Sequence, residues 1–399
     1  MNTNLVIRGT GLVTAMGNSA RATWDSLLAG KTISRHSRVH GVPADDAPDR
    51  VTTLACAAAH EAIADAGWGR SELESDQTAL VVGTSKGPAD QWLTAPPVTS
   101  DNPAAGRIHL QLPVASCQLP VKCESSVFTG NWQLATGHFM GLHSIAQTLA
   151  MRFRFGHGPR LTVSSACATG LHAMIRAAML LRKGQADRVL IVAAESSLHP
   201  LFLQCYQRLG VVASPGELIR PMDQARSGFL VSEAAAAVCL ERRPAIPGDV
   251  IVERFSLGSD ATHLTAMDPA GKTLQRCLAQ ARGSEPVQLI HAHATGTRLN
   301  DPIELAAIGS ICAGMSPPNL FSHKGAIGHT LGAAGLISLV LNVFMHRLGT
   351  IPPNTNTTRP LEISHARIAS NCVERRIHRS LSIAAGFGGA TAVVGLQTA

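Results

Sequence analysis

Two apolar patterns alternate along the chain. Short unbroken apolar runs end in glycine turns, and longer Ala- and Leu-rich stretches follow with helical spacing. ALVVGTSKG (Ala79 to Gly87) and RVLIVAAE (Arg188 to Glu195) show no polar alternation. Such runs predict strands buried on both faces of a sheet. LVIRGTGLV (Leu5 to Val13) reads as a strand broken by Gly9 and Gly11, and RLTVSSA (Arg160 to Ala166) as a short strand. Helical spacing covers Thr23 to Gly30, Val51 to Ala66, Ser144 to Phe153, Leu171 to Lys183 and Leu331 to Met345. Gly30, Gly67 and Gly184 are natural stops for three of these, because glycine takes the left-handed conformation that closes a helix. The alternation predicts the α/β class.

One stretch breaks the pattern. Ala95 to Thr129 is rich in Pro, Ser and Gly and has no clear period. An irregular excursion of that length is expected to shape a pocket or an interface. A candidate boundary lies at ERRPAIPGD, Glu241 to Asp249, dividing the chain into 1–243 and 244–399. Each half brings a Gly-rich turn to a helix start, SSACATG in the first and HKGAIGHTLGAAG in the second. The chain closes on a predicted hairpin, SLSIAAGFGGATAVVGL, turning at Phe387-Gly388-Gly389. This common design predicts a duplicated α/β unit.

Composition narrows the class. The chain has 399 residues, 45% of them hydrophobic and 15% charged, enough for a large core in one or two packed halves. Aromatics are only 4%. Small residues let backbones approach closely, which favours dense α/β layers over a β-sandwich. The net charge of +7 suits an acidic partner. Nucleic acid is the obvious candidate, but no long Lys/Arg block or aromatic-interleaved basic stripe appears, and a small acidic protein explains the charge equally well. Nine cysteines are scattered singly with no CxxC pair. That argues against a disulfide framework or a structural zinc site and for a reducing, cytoplasmic setting. No metal site is expected. No uncharged apolar run reaches the length of a membrane span, and the N-terminus lacks the pattern of a signal peptide.

Four constellations can carry chemistry. Cys167 sits where a strand hands over to a helix in VSSACATGLHAM. Backbone N–H groups at a helix start favour an anion, so a lowered thiol pKa is expected there. The alternative is a small packing residue, the usual fate of a free cysteine. HAHATGTRLND (His291 to Asp301) places His293 before Thr295 and Thr297. A histidine at a strand end can engage a substrate carbonyl, and the hydroxyls can hold an amide-bearing arm; the alternative is an ordinary capped loop. SHKGAIGHTLGAAG sets Lys324 five residues before His329, with Glu304 a candidate carboxylate to join them. A solvated lysine and a capping histidine are the plainer reading. GFGGA (Gly386 to Ala390) lets backbone approach a ligand closely, or is simply a hairpin turn.

Taken in order, these segments resemble the β-ketoacyl-acyl carrier protein synthases of the thiolase superfamily, closest to the elongating type of fatty acid and type II polyketide synthesis. The resemblance covers nearly the whole chain. It includes VIRGTGLVTAMGNSARATWDSLLAG at the start, RPMDQARSGFLVSEAAAAVCLE in the middle and the loop GSDATHLTAMDPAG. It implies a thiolase-like α/β fold, two similar halves in αβαβα layers, active as a homodimer or as a heterodimer with a related subunit. It implies decarboxylative Claisen condensation of malonyl-acyl carrier protein with an acyl chain on Cys167, in fatty acid or polyketide or polyene biosynthesis. Cys167 would be the nucleophile, and His293 and His329 would bind and decarboxylate the malonyl thioester. Lys324 and Glu304 would support His329. The backbone N–H groups of Cys167 and Phe387 would form the oxyanion hole, with Phe387 as a gate, and Thr295 and Thr297 would touch the phosphopantetheine arm. No dissociable cofactor is implied, because the substrates arrive on acyl carrier protein.

The chain departs from the family pattern at three points. Ser232-Glu233-Ala234-Ala235-Ala236 replaces GEGAG, Ala390 and Thr391 follow GFGG, and His291 stands where asparagine is usual. These suggest a specialised member, with a polyketide or polyene pathway favoured. The rival reading is a non-condensing chain-length-factor-like partner subunit, which typically lacks the active-site cysteine that Cys167 supplies here. Chain-initiating synthases and thiolases fit less well, since His329 takes the place of their asparagine and GFGGATA has no second cysteine.

Overall fold

The computed structural model describes residues 3–42, 47–89, 93 and 141–399. The irregular reading of Ala95 to Thr129 therefore lies outside the described residues. The first strands are β1 (Asn4–Thr14), β2 (Thr78–Gly83), β3 (Arg160–Val163), β4 (Arg188–Glu195) and β5 (Ala234–Arg243). They are followed by β6 (Val250–Ser259), β7 (Leu289–His291), β8 (Asn319–Phe321), β9 (Thr350–Ile351), β10 (Arg367–Ile368), β11 (Val373–Glu374), β12 (Arg379–Ala385) and β13 (Ala390–Thr398). All but β9 and β11 join one mixed sheet in the order β10-β8-β7-β12-β13-β6-β1-β5-β4-β2-β3.

The order contains a repeat. β1, β5, β4, β2 and β3 lie side by side, and β6, β13, β12, β7 and β8 lie side by side in the corresponding order. The pairing directions match as well. β1–β5 and β5–β4 are antiparallel while β4–β2 and β2–β3 are parallel. β6–β13 and β13–β12 are antiparallel while β12–β7 and β7–β8 are parallel. Between the two sets, β1 and β6 share the single pair Val6 and Ile251. The helices repeat too. Arg50–Ala66 and Ser144–Arg152 link the first three strands of one set, as Lys272–Arg282 and Asn300–Cys312 do in the other. The third strand of each set leads into a helix, Thr169–Arg182 or Ala334–Leu348.

Side-chain alternation turns this order into layers. Val189, Ile191 and Ala193 of β4 face the core shared with both of those helices. Leu190, Val192 and Ala194 face the Arg50–Ala66 helix on the other side. In the second set, Ala392, Val394 and Leu396 of β13 face the shared core, and Val393 faces the Lys272–Arg282 and Asn300–Cys312 helices. The result is αβαβα, with the Thr169–Arg182 and Ala334–Leu348 helices sandwiched between two sheet halves. Both faces of each half are apolar, which is why the strands read as unbroken runs.

The small residues act as the composition implies. A Cβ on Gly170 would sit 2.5 Å from Leu336 N, and one on Gly335 would sit 2.9 Å from Leu171 N. The two central helices thus touch backbone to backbone. Gly9 and Gly11 do not break β1, contrary to the sequence expectation. The strand runs through them with a bulge after Ile7. Their missing side chains admit the Arg50–Ala66 helix, whose Ala62 O and Ala58 O would lie 2.2 and 2.0 Å from added Cβ atoms. β3 ends at Val163, earlier than expected, and residues 164–168 form a turn instead. The segment Leu331–Leu348 is long and apolar enough to cross a membrane, but 83% of it is buried inside the protein. It is the core helix of the second half, entered through a 3-10 turn at Leu331–Ala333.

Candidate active site

The parallel strands of both halves point their carboxyl ends at one region, where ligands bind in α/β sheets. The turn after β3 delivers Cys167. Ala166 has a φ of 44°, a conformation that costs free energy for any side chain and persists only when its surroundings impose it. Here Ser165 N donates to Thr169 Oγ1 (2.8 Å), and Thr169 Oγ1 donates to Ala166 O (2.7 Å). Ala168 N donates to Ser165 O (3.0 Å). Cys167 is partly buried and packs on the cluster of Phe229, Val231 and Leu331, as do Leu203 and Tyr206.

The loop after β7 delivers His293, which is buried, and the segment after β8 delivers His329, also buried. Their ring centroids are 5.6 Å apart at 81°. His329 stands edge-on to Phe229 at 4.8 Å, and its backbone N donates to Leu230 O (2.8 Å). Backbone strain brackets both histidines, with Ala294 at φ 29° and Leu331 at φ 46°. Burial holds both imidazoles well below the usual histidine range, and the Lys324 charge pushes the same way. They are neutral at physiological pH, and each can offer one N–H as a donor.

The GFGG turn closes the site. A Cβ on Gly386 would lie 3.0 Å from Ser165 O and 3.3 Å from Ala168 N, so this backbone lies against the Cys167 turn. Gly388 and Gly389 have φ of 81° and 78°. A side chain on Gly389 would meet Asp260 Oδ1 at 2.2 Å. The Asp260 carboxylate accepts from Thr262 N (3.1 Å) and Asp268 N (2.9 Å), and Gly388 N donates to Leu264 O (2.8 Å). The GSDATHLTAMDPAG loop is thereby tied to the turn.

These parts line one cleft of about 240 Å³. Cys167, His293, His329, Phe387, Thr295 and Thr297 all reach it. The two threonine hydroxyls are 2.9 Å apart. A larger groove of about 760 Å³, around Gln224, Leu305 and Ile363, contains none of the sequence-predicted site residues.

Two expectations need correction. The thiol of Cys167 is not lowered. Burial and the Glu195 carboxylate raise it to about 11, against the opposing pull of Lys86 and Lys324. Second, the hydrogen bonds of Lys324 and Glu304 run to the His293 loop, and the link to His329 is the charge of Lys324. The Glu304 carboxylate accepts from His293 N (2.6 Å) and Ala294 N (2.7 Å), and Asn300 Nδ2 donates to it at 3.1 Å. Lys324 Nζ donates to the His293 carbonyl. Both residues are buried and neither lines the cleft. Burial raises the Glu304 carboxyl to about 7 and lowers the Lys324 ammonium to about 8, with each partner's charge acting against the shift.

The sequence reading missed three features. Asp301 is buried and accepts from Met222 N (2.8 Å) and Gly296 N (3.1 Å), fixing the threonine loop. Lys86, Ser85 and Glu195 form a polar group in the first half. A buried chain also runs behind the histidines. Asn342 Nδ2 donates to Ser382 Oγ (3.0 Å), leaving its Oδ1 toward His291 Nδ1 (2.8 Å). That makes His291 Nδ1 a donor and His291 Nε2 the acceptor from His323 Nδ1 (2.9 Å). The signal for this chain was the substitution of asparagine by His291. Among the described residues no group of three or more His, Cys, Asp or Glu side chains is arranged to hold a metal ion.

A layered fold with a duplicated unit, a cysteine at one strand end and two histidines at others, defines a condensing-enzyme scaffold. The sequence profile of the β-ketoacyl synthase N-terminal domain matches residues 36–245, and that of the β-ketoacyl synthase C-terminal domain matches residues 250–358. The chain belongs to the β-ketoacyl synthase family. It is 27% identical to the tetracenomycin polyketide synthase ketoacyl synthase alpha subunit of Streptomyces glaucescens, covering 96% of this chain and 95% of that one. It is also 27% identical to 3-oxoacyl-[acyl-carrier-protein] synthase 2 of Rhizobium meliloti, covering 97% of each. Among solved structures, the ishigamide ketosynthase/chain length factor superposes with a TM-score of 0.80 at 24% identity, covering all of both chains. A type II polyketide ketosynthase in complex with its acyl-carrier protein and bound to the hexaketide gives 0.81 at 20% identity, again over all of both chains.

Proposed function

We propose that the protein joins an acyl chain carried as a thioester on Cys167 to a malonyl group carried on acyl carrier protein, with loss of CO2. The observation that carries this reading is the convergence of Cys167, His293, His329 and the GFGG backbone on one cleft. The Cys167 thiol attacks the acyl thioester, the carrier leaves as its thiolate, and the Cys167 proton passes to that thiolate. The N–H groups of neutral His293 and His329 then bind the malonyl thioester carbonyl. CO2 leaves, and the enolate oxygen that develops is stabilised by those two donors. The enolate carbon attacks the Cys167 thioester, and the tetrahedral oxyanion sits against the backbone N–H groups of Cys167 and Phe387. Collapse expels the Cys167 thiolate, which takes up one proton. Its raised pKa makes that final protonation favourable.

Lys324 and Glu304 are positioning residues in this scheme, because they act through the His293 backbone. Thr295 and Thr297 bind the phosphopantetheine arm that carries both substrates, and no other cofactor takes part. The +7 charge supports docking of an acidic carrier protein, with Arg226 beside the entrance, where its Nε donates to Thr297 O (3.1 Å). The chain works as a dimer, with a second copy or a related subunit as partner. It divides into 1–243, which carries the cysteine, and 244–399, which carries the histidines. Cys167, Cys239, Cys277, Cys312 and Cys372 are free thiols, which supports a cytoplasmic location.

The test is acylation. Wild type and Cys167→Ala are incubated with an acyl-acyl carrier protein, and their intact masses are measured. Wild type is expected to gain the acyl mass and the variant is not. Equal modification of both, or none of wild type, would refute the reading.

A further inference from the structure

The repeat in the sheet matches the ends of corresponding strands in the two halves. The loop after β7 carries His293. Its counterpart after β2 carries Lys86, and nothing in the condensation scheme uses that residue. Lys86 Nζ donates to Ser85 Oγ (3.0 Å), and Ser85 Oγ donates in turn to Glu195 Oε2 (2.6 Å). The ammonium also lies 5.3 Å from the Phe202 ring centroid and 5.7 Å from that of Tyr206. The Tyr206 hydroxyl interacts with it as well. Burial opposes the charge, yet Glu195 and Tyr206 hold Lys86 above the ordinary lysine range, so it is a cation at neutral pH.

Tyr206 lines the cleft with Cys167, and its neighbours on that wall are the apolar Leu209, Val211 and Phe229. A cation and a phenol beside an otherwise apolar wall give a hydrocarbon chain no compensating contact. They give an oxygen acceptor a charge-assisted partner. Lys86 is not itself a lining residue of the cleft; it bonds Ser85 and the Tyr206 hydroxyl, and its charge makes that hydroxyl a stronger donor toward the cleft.

We propose that the Tyr206 hydroxyl, polarised by Lys86 behind it, forms a polar subsite in the cleft wall beside Cys167. It selects acyl groups that carry a keto oxygen a few carbons beyond the thioester over saturated alkyl groups. This deepens the condensing-enzyme reading and rests on Cys167 as the acyl carrier. The selectivity is modest in size, because Lys86 keeps its protein partners when an alkyl chain is bound. A site whose polar groups were left unpaired would discriminate far more strongly.

The test is a competition. The full chain is incubated with equal amounts of octanoyl N-acetylcysteamine thioester and its 5-oxo or 7-oxo analogue, and the two acyl masses on Cys167 are compared. Wild type is expected to favour at least one oxo chain by about tenfold, the size of one charge-assisted hydrogen bond. Lys86→Met and Tyr206→Phe are expected to bring the ratio near one. Tyr206→Phe keeps the ring on which Lys86 rests, so it reports even if Lys86→Met fails to fold. A wild-type ratio near one for both analogues, or a preference that survives in Tyr206→Phe, overturns the subsite and leaves the condensation reading standing. A wild type acylated by neither thioester overturns both.

Discussion

The two halves share a strand order and differ in what their loop ends carry. In the first, the link from the third strand to the central helix holds Cys167; in the second, the same link holds His329. The loop after the second strand holds Lys86 in one half and His293 in the other. The fourth strand leads to Glu195 and the serines after it in one half, and to Phe387 in the other. One half thus presents a thiol among charged groups, and the other presents neutral imidazoles, one of them held by a buried clamp. In the proposed reaction the side chains at these matching positions divide the labour: capture of the acyl chain on one side, decarboxylation on the other.

The largest effect expected from this division concerns the nucleophile. Cys167 is held at about 11 by burial. The thiolate fraction, and with it the rate of alkylation, should therefore climb about tenfold per pH unit from 7 to 10. The sign follows from the shift: a raised thiol pKa means thiolate appears only as pH rises toward it. Site-resolved iodoacetamide kinetics, with exposed Cys372 as an internal comparison, would show this. A plateau of Cys167 reactivity near pH 8 would break the comparison, since it would give the first half a pre-formed anion.

The histidines test the other side. His293→Ala and His329→Ala are each expected to lower CO2 release from malonyl-acyl carrier protein by about 10²- to 10³-fold, the usual cost of one oxyanion donor. Cys167 should still be acylated in both. Loss of acylation in step with decarboxylation would show that the halves do not divide the reaction.

The clamp behind His293 is next in size. Glu304→Ala leaves two buried backbone N–H groups without their acceptor and a buried Lys324 without its counter-charge. About 3 kcal/mol of stability should be lost in denaturant titration. Decarboxylation should fall in step with His293→Ala, because the residue works through the His293 backbone. Glu304→Gln retains an acceptor oxygen and should recover part of both losses. A Glu304→Ala variant as stable as wild type would remove the clamp from the account.

Much of this contrast was legible in the sequence, and the reasons for the rest are physical. Arg188 to Glu195 reads as a strand because both its faces are buried, and it is one. The turn residues around Cys167 and Phe387 announce themselves as small and glycine-rich because backbone must approach backbone there. Gly9 and Gly11 misled, since a glycine that admits a packed helix looks like one that ends a strand. The pKa of Cys167 was misread because a helix start is visible in sequence and burial is not. Glu304 and Lys324 were named, but which histidine they hold depends on a contact across 31 residues between Lys324 and His293. Lys86 passed unnoticed because its meaning comes from Glu195 and Tyr206, residues far along the chain that only the sheet brings near.

The smallest expected effect concerns the threonines, and it sharpens the comparison from the substrate's side. Thr295 and Thr297 lie on the second half, next to the histidines, and their hydroxyls face each other across 2.9 Å. Thr297 Oγ1 also accepts from Asn300 N at 3.3 Å, so Thr297→Val removes the bond to Thr295, one weak loop contact and, in the proposed scheme, one polar contact to the carrier arm. An interaction made equally with bound substrate and transition state changes KM and leaves kcat alone. The variant is therefore expected to raise KM for malonyl-acyl carrier protein about threefold to tenfold, the size of one neutral hydrogen bond, with kcat within about twofold of wild type. A fall in kcat with unchanged KM would mean that Thr297 acts with the histidines on the reacting carbonyl, and the second half would then hold a third donor rather than a passive binding edge.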